Sequence, residues 1–285
     1  MILDAHCHAW RTWPYDAHEP DPDRARSGRL LRTLDEHGVD AALVVAARIG
    51  GPDPRTANSD NNDYVAAAAR RHPGRLLAVV DVDSRWSASY HRAGIARRLE
   101  DEVGRTGAVG VTHYLADEDD GWLRTSEAGD LLERAADLGV LVSLHVPPVW
   151  HADLRALLLE HPGAAPVLIH HQGLVDPASR PHLDGLVALA DAPSAHVKVS
   201  GFHYLAPEPW DVPYTGVLHV LRELRATFGS ARLVWGSDHP VAARHLTYRQ
   251  SLEVVRRRAG LASQEVEEVL GGALARVLDR LGRLP

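Results

Sequence analysis

Short runs of consecutive apolar residues, rich in Val and Leu, alternate along the chain with longer segments in which apolar positions recur every three or four residues. The first pattern is that of strands buried on both faces, as in a parallel sheet; the second is that of helices burying one stripe. Strands are predicted at Ile2–His6, Ala41–Ala47, Leu76–Val82, Ala108–Thr112, Leu141–His145, Pro166–His170, His196–Ser200 and Arg232–Ser237. The spacing between them predicts helices over 27–37, 60–72, 89–103, 126–138, 152–161, 180–191, 214–228 and 245–258. A last amphipathic stretch runs from Ser263 to Leu281, with Ser263 as its expected cap and Glu265, Glu267 and Glu268 near the positive end of the helix dipole. Eight strand–helix units in 285 residues predict one domain, 1–285, folded as a (β/α)8 TIM barrel with an extra C-terminal helix packed across it.

In such a barrel the chemistry belongs to the segments that follow strands, because these gather at one face. The longest irregular segments, 9–27, 48–59 and 201–213, all follow strands. So do Trp10, Trp13, Trp86, Trp122, Trp150 and Trp210, six of the seven tryptophans. Trp10, His113, Tyr114, His203 and Tyr204 are candidate pocket walls on this ground, and Arg48, ending strand two, is a candidate clamp for a substrate carboxylate through its planar fork.

The net charge of −7 and the lack of a dense basic run argue against nucleic acid or an anionic membrane as partner. No apolar run approaches the ~20 residues of a membrane helix. The opening Met1-Ile2-Leu3-Asp4-Ala5-His6 lacks the features of a signal peptide, so a cytoplasmic enzyme with a small-molecule substrate is expected, self-association being left open. The one cysteine, Cys7, excludes an internal disulfide and is expected to face the helices. Lysine has been almost wholly replaced by arginine, which robs arginine counts of meaning, but the 18 histidines need a chemical reason.

Strand one supplies one. The period of two sends His6 and His8 to the same side, where two imidazoles on rigid backbone make half a metal site. His145 ends strand five, His170 and His171 end strand six, and Asp238 ends strand eight. Ligand-type side chains from four strands then arrive at one face, an arrangement that packing alone does not produce, since isolated buried polar groups are costly.

In this order the segments DAHCHAW, SLHVPP, LIHHQG, VKVSG and VWGSDHP resemble the amidohydrolase superfamily, in its branch of sugar and pyrone lactonases and aromatic-acid decarboxylases. The resemblance implies a single metal ion held by His6, His8, His145 and Asp238, with His171 as a further ligand or acid/base; zinc is the expected ion and manganese the alternative. His170 and His171 are neighbours on a strand and are expected to face opposite ways, and the resemblance selects His171. The chain departs from the lactonase-like pattern at Thr112, where an arginine is common, and at His170, where an aspartate is. A lysine-bridged metal pair is excluded, because the only lysine is Lys198 on strand seven. Lys198 is expected inside the barrel, paired beneath the metal with Asp4, which by strand parity lies on the side of His6, while Gly236 leaves room for the contact.

The chemistry that follows is hydrolysis of a lactone, or less readily an amide, with Asp238 as base and His171 stabilising the oxyanion. The alternative is decarboxylation of an aromatic or enoic acid by the same residues, and a third reading is a barrel that binds without turnover.

Overall fold

The computed structural model describes residues 1–285. All eight predicted strands form: β1 (Leu3–Cys7), β2 (Ala41–Val45), β3 (Leu76–Asp81), β4 (Gly110–Tyr114), β5 (Leu141–His145), β6 (Val167–Ile169), β7 (Ala195–Val199) and β8 (Leu233–Trp235). They pair in parallel in chain order. The ring closes just beyond β8, where the Asp238 N–H donates to the His6 carbonyl and the His8 N–H to the His239 carbonyl, both at 2.7 Å. Helices Ser27–His37, Asn61–Arg71, Ile95–Thr106, Ser126–Asp137, His151–Glu160, Arg180–Ala188, Thr215–Phe228 and Tyr248–Glu253 follow the eight strands in turn and complete the (β/α)8 barrel.

Apolar side chains pack on both faces of the strands, as the unbroken Val and Leu runs require. Val44, Val80, Val142 and Val197 face the helices and meet Leu34, Leu99 and Leu154. Leu3, Leu43, Val79, Leu168 and Val234 face inward and are met by Leu274, Val277 and Leu278 of the last helix, Ala273–Arg280. Hydrocarbon thus plugs the end of the barrel where the strands begin, and polar chemistry is left to the other end. No helix is long and apolar enough to cross a membrane.

One helix start and one helix cap differ from expectation. The helix expected over 89–103 starts at Ile95, because Ser87, Ser89 and Asp83 bond to one another and to the local backbone and hold 83–94 in turns. The last stretch begins at Ser263, but Ser263 is not its cap: the cap position is Ala262, whose N–H donates to Glu265 Oε2 at 2.8 Å.

The most consequential departure is in β1. Leu3 pairs with Ala41 and Asp4 with Ala42, but Cys7 pairs with Val44, so β1 carries one extra residue between Asp4 and Cys7. Such a bulge re-aims side chains. Below it Asp4 lies on the helix side, bonded to Tyr248 Oη at 2.9 Å; above it His6 and His8 turn into the barrel and Cys7 faces outward, its thiol on the Leu43 carbonyl.

Candidate metal centre and active site

His6 Nε2 and His8 Nε2 lie 3.1 Å apart, and Asp238 Oδ1 is 3.6 Å from the first and 3.5 Å from the second. Both histidines come from the rim of β1, and Asp238 from the turn after β8, where its φ of 55° bends the chain over the barrel mouth. Gly236 permits the approach: a Cβ there would lie 2.7 Å from the His6 Cβ. Its role is to make room for His6, not for the expected contact between Lys198 and Asp4.

That contact does not exist. Asp4 bonds to the Ser237 N–H at 2.9 Å, to Ser237 Oγ, to the His6 N–H at 3.0 Å and to Tyr248. Burial nevertheless pushes its carboxyl up to about 6. Lys198 is fully buried in the barrel as expected, but its Nζ meets His6 Nδ1 at 3.0 Å and Ser143 Oγ at 2.6 Å. Parity failed for this pair because the bulge separates Asp4 from His6. With no carboxylate against it, the ammonium is brought down by burial to about 7.

The expectation that only one of His170 and His171 faces inward is also corrected. β6 ends at Ile169, and His171 has a φ of 48°, so strand alternation no longer applies. Both rings reach His6, with centroids 4.4 Å and 4.6 Å away. His170 Nε2 pairs with Ser143 Oγ at 2.6 Å, and His171 Nδ1 with Ser200 Oγ at 3.0 Å. Gly201 leaves space for His171, since a Cβ there would collide with the His171 ring.

Two sets of donor atoms therefore converge within 4.8 Å: His6, His8 and Asp238, and His6, His170 and His171. His145 belongs to neither set; it stands on the cavity wall, stacked on Tyr114 with centroids 5.1 Å apart. Burial drives His145 and His171 down to about 3, so both are neutral at ordinary pH. Burial alone would raise the Asp238 carboxyl, but His171, His8 and His203 around it outweigh that and hold it below its usual value.

The first set fits a divalent ion. Asp238 is fully buried, yet neither of its oxygens has a hydrogen-bond partner, an expensive state for a carboxylate without a cation. His8 Nδ1 donates to the Val45 carbonyl at 2.7 Å, which leaves the Nε2 lone pair aimed at the same point as Asp238.

Above this floor opens a cavity of about 620 Å³. Trp10, His203 and Tyr204 stand on its wall, and Trp10 stacks on His8 at 4.8 Å. His203 Nε2 lies 3.8 Å from Asp238 Oδ2. Two candidates for the wall do not reach it. Arg48 is exposed and bonds the Ser59 carbonyl at 2.9 Å, while His113 points out toward the helices, its Nδ1 donating to the Val82 carbonyl at 2.9 Å. Arg85, Arg244, His245 and Tyr15 line the cavity and had not been singled out. Arg85 lies in the turns just after β3 and was masked by the general abundance of arginine; Tyr15 sits inside the long segment after β1.

The amidohydrolase family profile matches residues 3–280, and the chain belongs to this family. A Burkholderia multivorans amidohydrolase solved with bound zinc is 21% identical; the match covers 98% of this chain and 99% of that one, with a TM-score of 0.75. A Pseudomonas putida protein named for 2-pyrone-4,6-dicarboxylic acid hydrolysis is 24% identical over 98% of this chain and 97% of its own, with a TM-score of 0.73. A 2,6-dihydroxybenzoate decarboxylase from Rhizobium is 16% identical over 98% of both chains, with a TM-score of 0.66. At these identities the likeness is one of fold. No curated protein matches the chain.

Proposed function

We propose that this protein is a metal-dependent hydrolase that opens a lactone, or less readily an amide, of a small cyclic substrate. The observation that carries the reading is the buried Asp238 carboxylate, without a partner, facing His6 and His8 on the cavity floor. His6, His8 and Asp238 would hold the ion, with His145 as the further ligand that the family pattern implies. Zinc suits the imidazole-rich set, and manganese is the alternative that the carboxylate admits. Once bound, a divalent ion supplies Lewis acidity, polarising the carbonyl and lowering the pKa of water toward 7.

The chain's own residues do the rest. Asp238 takes the proton of the attacking water and returns it to the leaving ring oxygen, so that lactone and water become a hydroxy acid. His171, neutral and fixed through Ser200, donates from its free nitrogen to the oxygen that gains charge. Trp10 and Tyr204 press the ring between apolar walls and exclude water.

A second reading, decarboxylation of an aromatic or enoic acid, is favoured by the flat walls that Trp10, Trp86, Tyr114 and Tyr204 present. There His171 or Asp238 would protonate the carbon that loses carbon dioxide. A screen of lactones and aromatic acids on zinc-loaded and manganese-loaded protein separates the two: acid release without carbon dioxide supports the hydrolase, carbon dioxide release the decarboxylase. Turnover unchanged after chelation would sink both.

A further inference from the structure

We propose that the substrate carries an oxyanion away from the reacting carbon, a carboxylate or phosphate, and that Arg244 is its principal anchor with Arg85 as its second contact. The proposal rests on the reading of this cavity as the active site and names the class of molecule it takes. The protein as a whole is acidic, with 38 acidic residues against 31 basic ones. Its cavity has the opposite character: Arg85 and Arg244 stand on the wall and no aspartate or glutamate does, the Asp238 carboxylate lying buried beneath.

The two arginines are not equivalent. Arg85 Nη1 shares its charge with Asp117 at 3.3 Å, whereas Arg244 forms no ion pair and no side-chain hydrogen bond. They come from different loops, after β3 and after the β8 segment, and with Tyr15 they line one cavity. Such a cationic mouth over apolar walls raises the local concentration of anionic ligands and rejects neutral ones of the same shape. The guanidinium fork suits the paired oxygens of a carboxylate or phosphate. Arg48, the arginine that strand position had suggested, lies outside the cavity.

Binding, rather than turnover, tests this, so the outcome is independent of whether the chemistry is hydrolysis. Affinities of isophthalate, phenyl phosphate and neutral isophthalamide are measured by calorimetry on the purified protein, metal-loaded and after chelation. The chelated sample removes any contribution from carboxylate bound to metal. We expect isophthalate or phenyl phosphate to bind at least tenfold more tightly than isophthalamide in both samples, and the stronger of the two identifies the oxyanion. Arg244→Gln should weaken that anion about tenfold and leave isophthalamide unchanged; Arg85→Gln should weaken it less. Both side chains are surface-accessible, and unchanged circular dichroism melting verifies the fold of each variant. Equal affinities for anion and diamide, an anion affinity unaffected by Arg244→Gln, or no binding by any of the three would overturn the proposal. Failure to hydrolyse lactones, with the anion preference intact, would count against the proposed reaction alone.

Discussion

Two histidine clusters sit at the same end of this barrel, and they are built on opposite principles. In one, His6 and His8 face Asp238 beneath an open cavity, with His170 and His171 packed against His6, and the carboxylate has no partner. In the other, His113 and His91 face each other across 3.4 Å between Nε2 atoms, and each Nδ1 is already bonded, to the Val82 carbonyl at 2.9 Å and to Asp120 at 2.6 Å. The His91 ring lies flat on Trp122, 4.4 Å between centroids, and neither histidine reaches the cavity. Residue type is the same; spare bonding capacity is not. A cluster reads as a site when its polar atoms are left wanting a partner at a place a ligand can reach.

The sharpest way to break this contrast is Asp238→Asn, expected to lower turnover by about 10² or more with the melting temperature preserved, because the amide cannot accept a proton from water. A wild-type rate between pH 6 and 9 in the folded variant would remove Asp238 from the mechanism. Next in size is metal content. His8→Ala should cut bound zinc, read by elemental analysis, by about tenfold or more, whereas His113→Gln should leave it unchanged. Equal losses in both variants would erase the distinction between the clusters.

The second cluster should speak through stability instead. Burial lowers His113 to about 4, against an ordinary value of 6.5. Between these values the unfolded chain holds a proton that the folded chain does not, so stability rises with pH across the window and is flat above it. The rise amounts to roughly 3 kcal/mol if this group alone titrates. Denaturant titrations at pH 4.5 and 7.5 should show a smaller difference for His113→Gln than for the parent. An identical difference would mean that His113 is not the group responsible.

The smallest effect concerns Lys198. Had it neutralised Asp4, its removal would strand a buried carboxylate; as Asp4 keeps Ser237 and Tyr248, Lys198→Met forfeits only the bonds to His6 and Ser143. The expected cost is about 1 to 3 kcal/mol in denaturant titration. A loss well above that range would indicate a carboxylate dependent on the lysine.

The sequence made the barrel legible because its strands are continuous apolar runs and its helices one-sided, so all eight strands and nearly all helices fall where the pattern puts them. That His6 and His8 share one side was legible from their spacing on β1, and Asp238 was placed near them by its position just past β8, although its facing comes from a left-handed turn. What failed was whatever depended on parity past a break. The bulge in β1 separates Asp4 from His6, and the left-handed turn at His171 turns two neighbours to one side. No hydrophobic pattern announces either event, because one inserted residue changes facing without changing composition. Loop residues such as Arg244 and Tyr15 carry no periodicity at all, and only their shared cavity identifies them.

The closure of the ring has a consequence for how the protein is made. Asp4 and Ser237, bonded beside the candidate metal centre, are 233 positions apart, and His6 meets Asp238 across the same seam. No ribosome-bound or truncated intermediate lacking the last strand can own this centre, for its two halves are written at opposite ends of the message. Contacts of such long sequence separation form late and slowly. An ion captured there would act as a clasp on the finished ring, drawing its binding energy into the stability of the last step of folding.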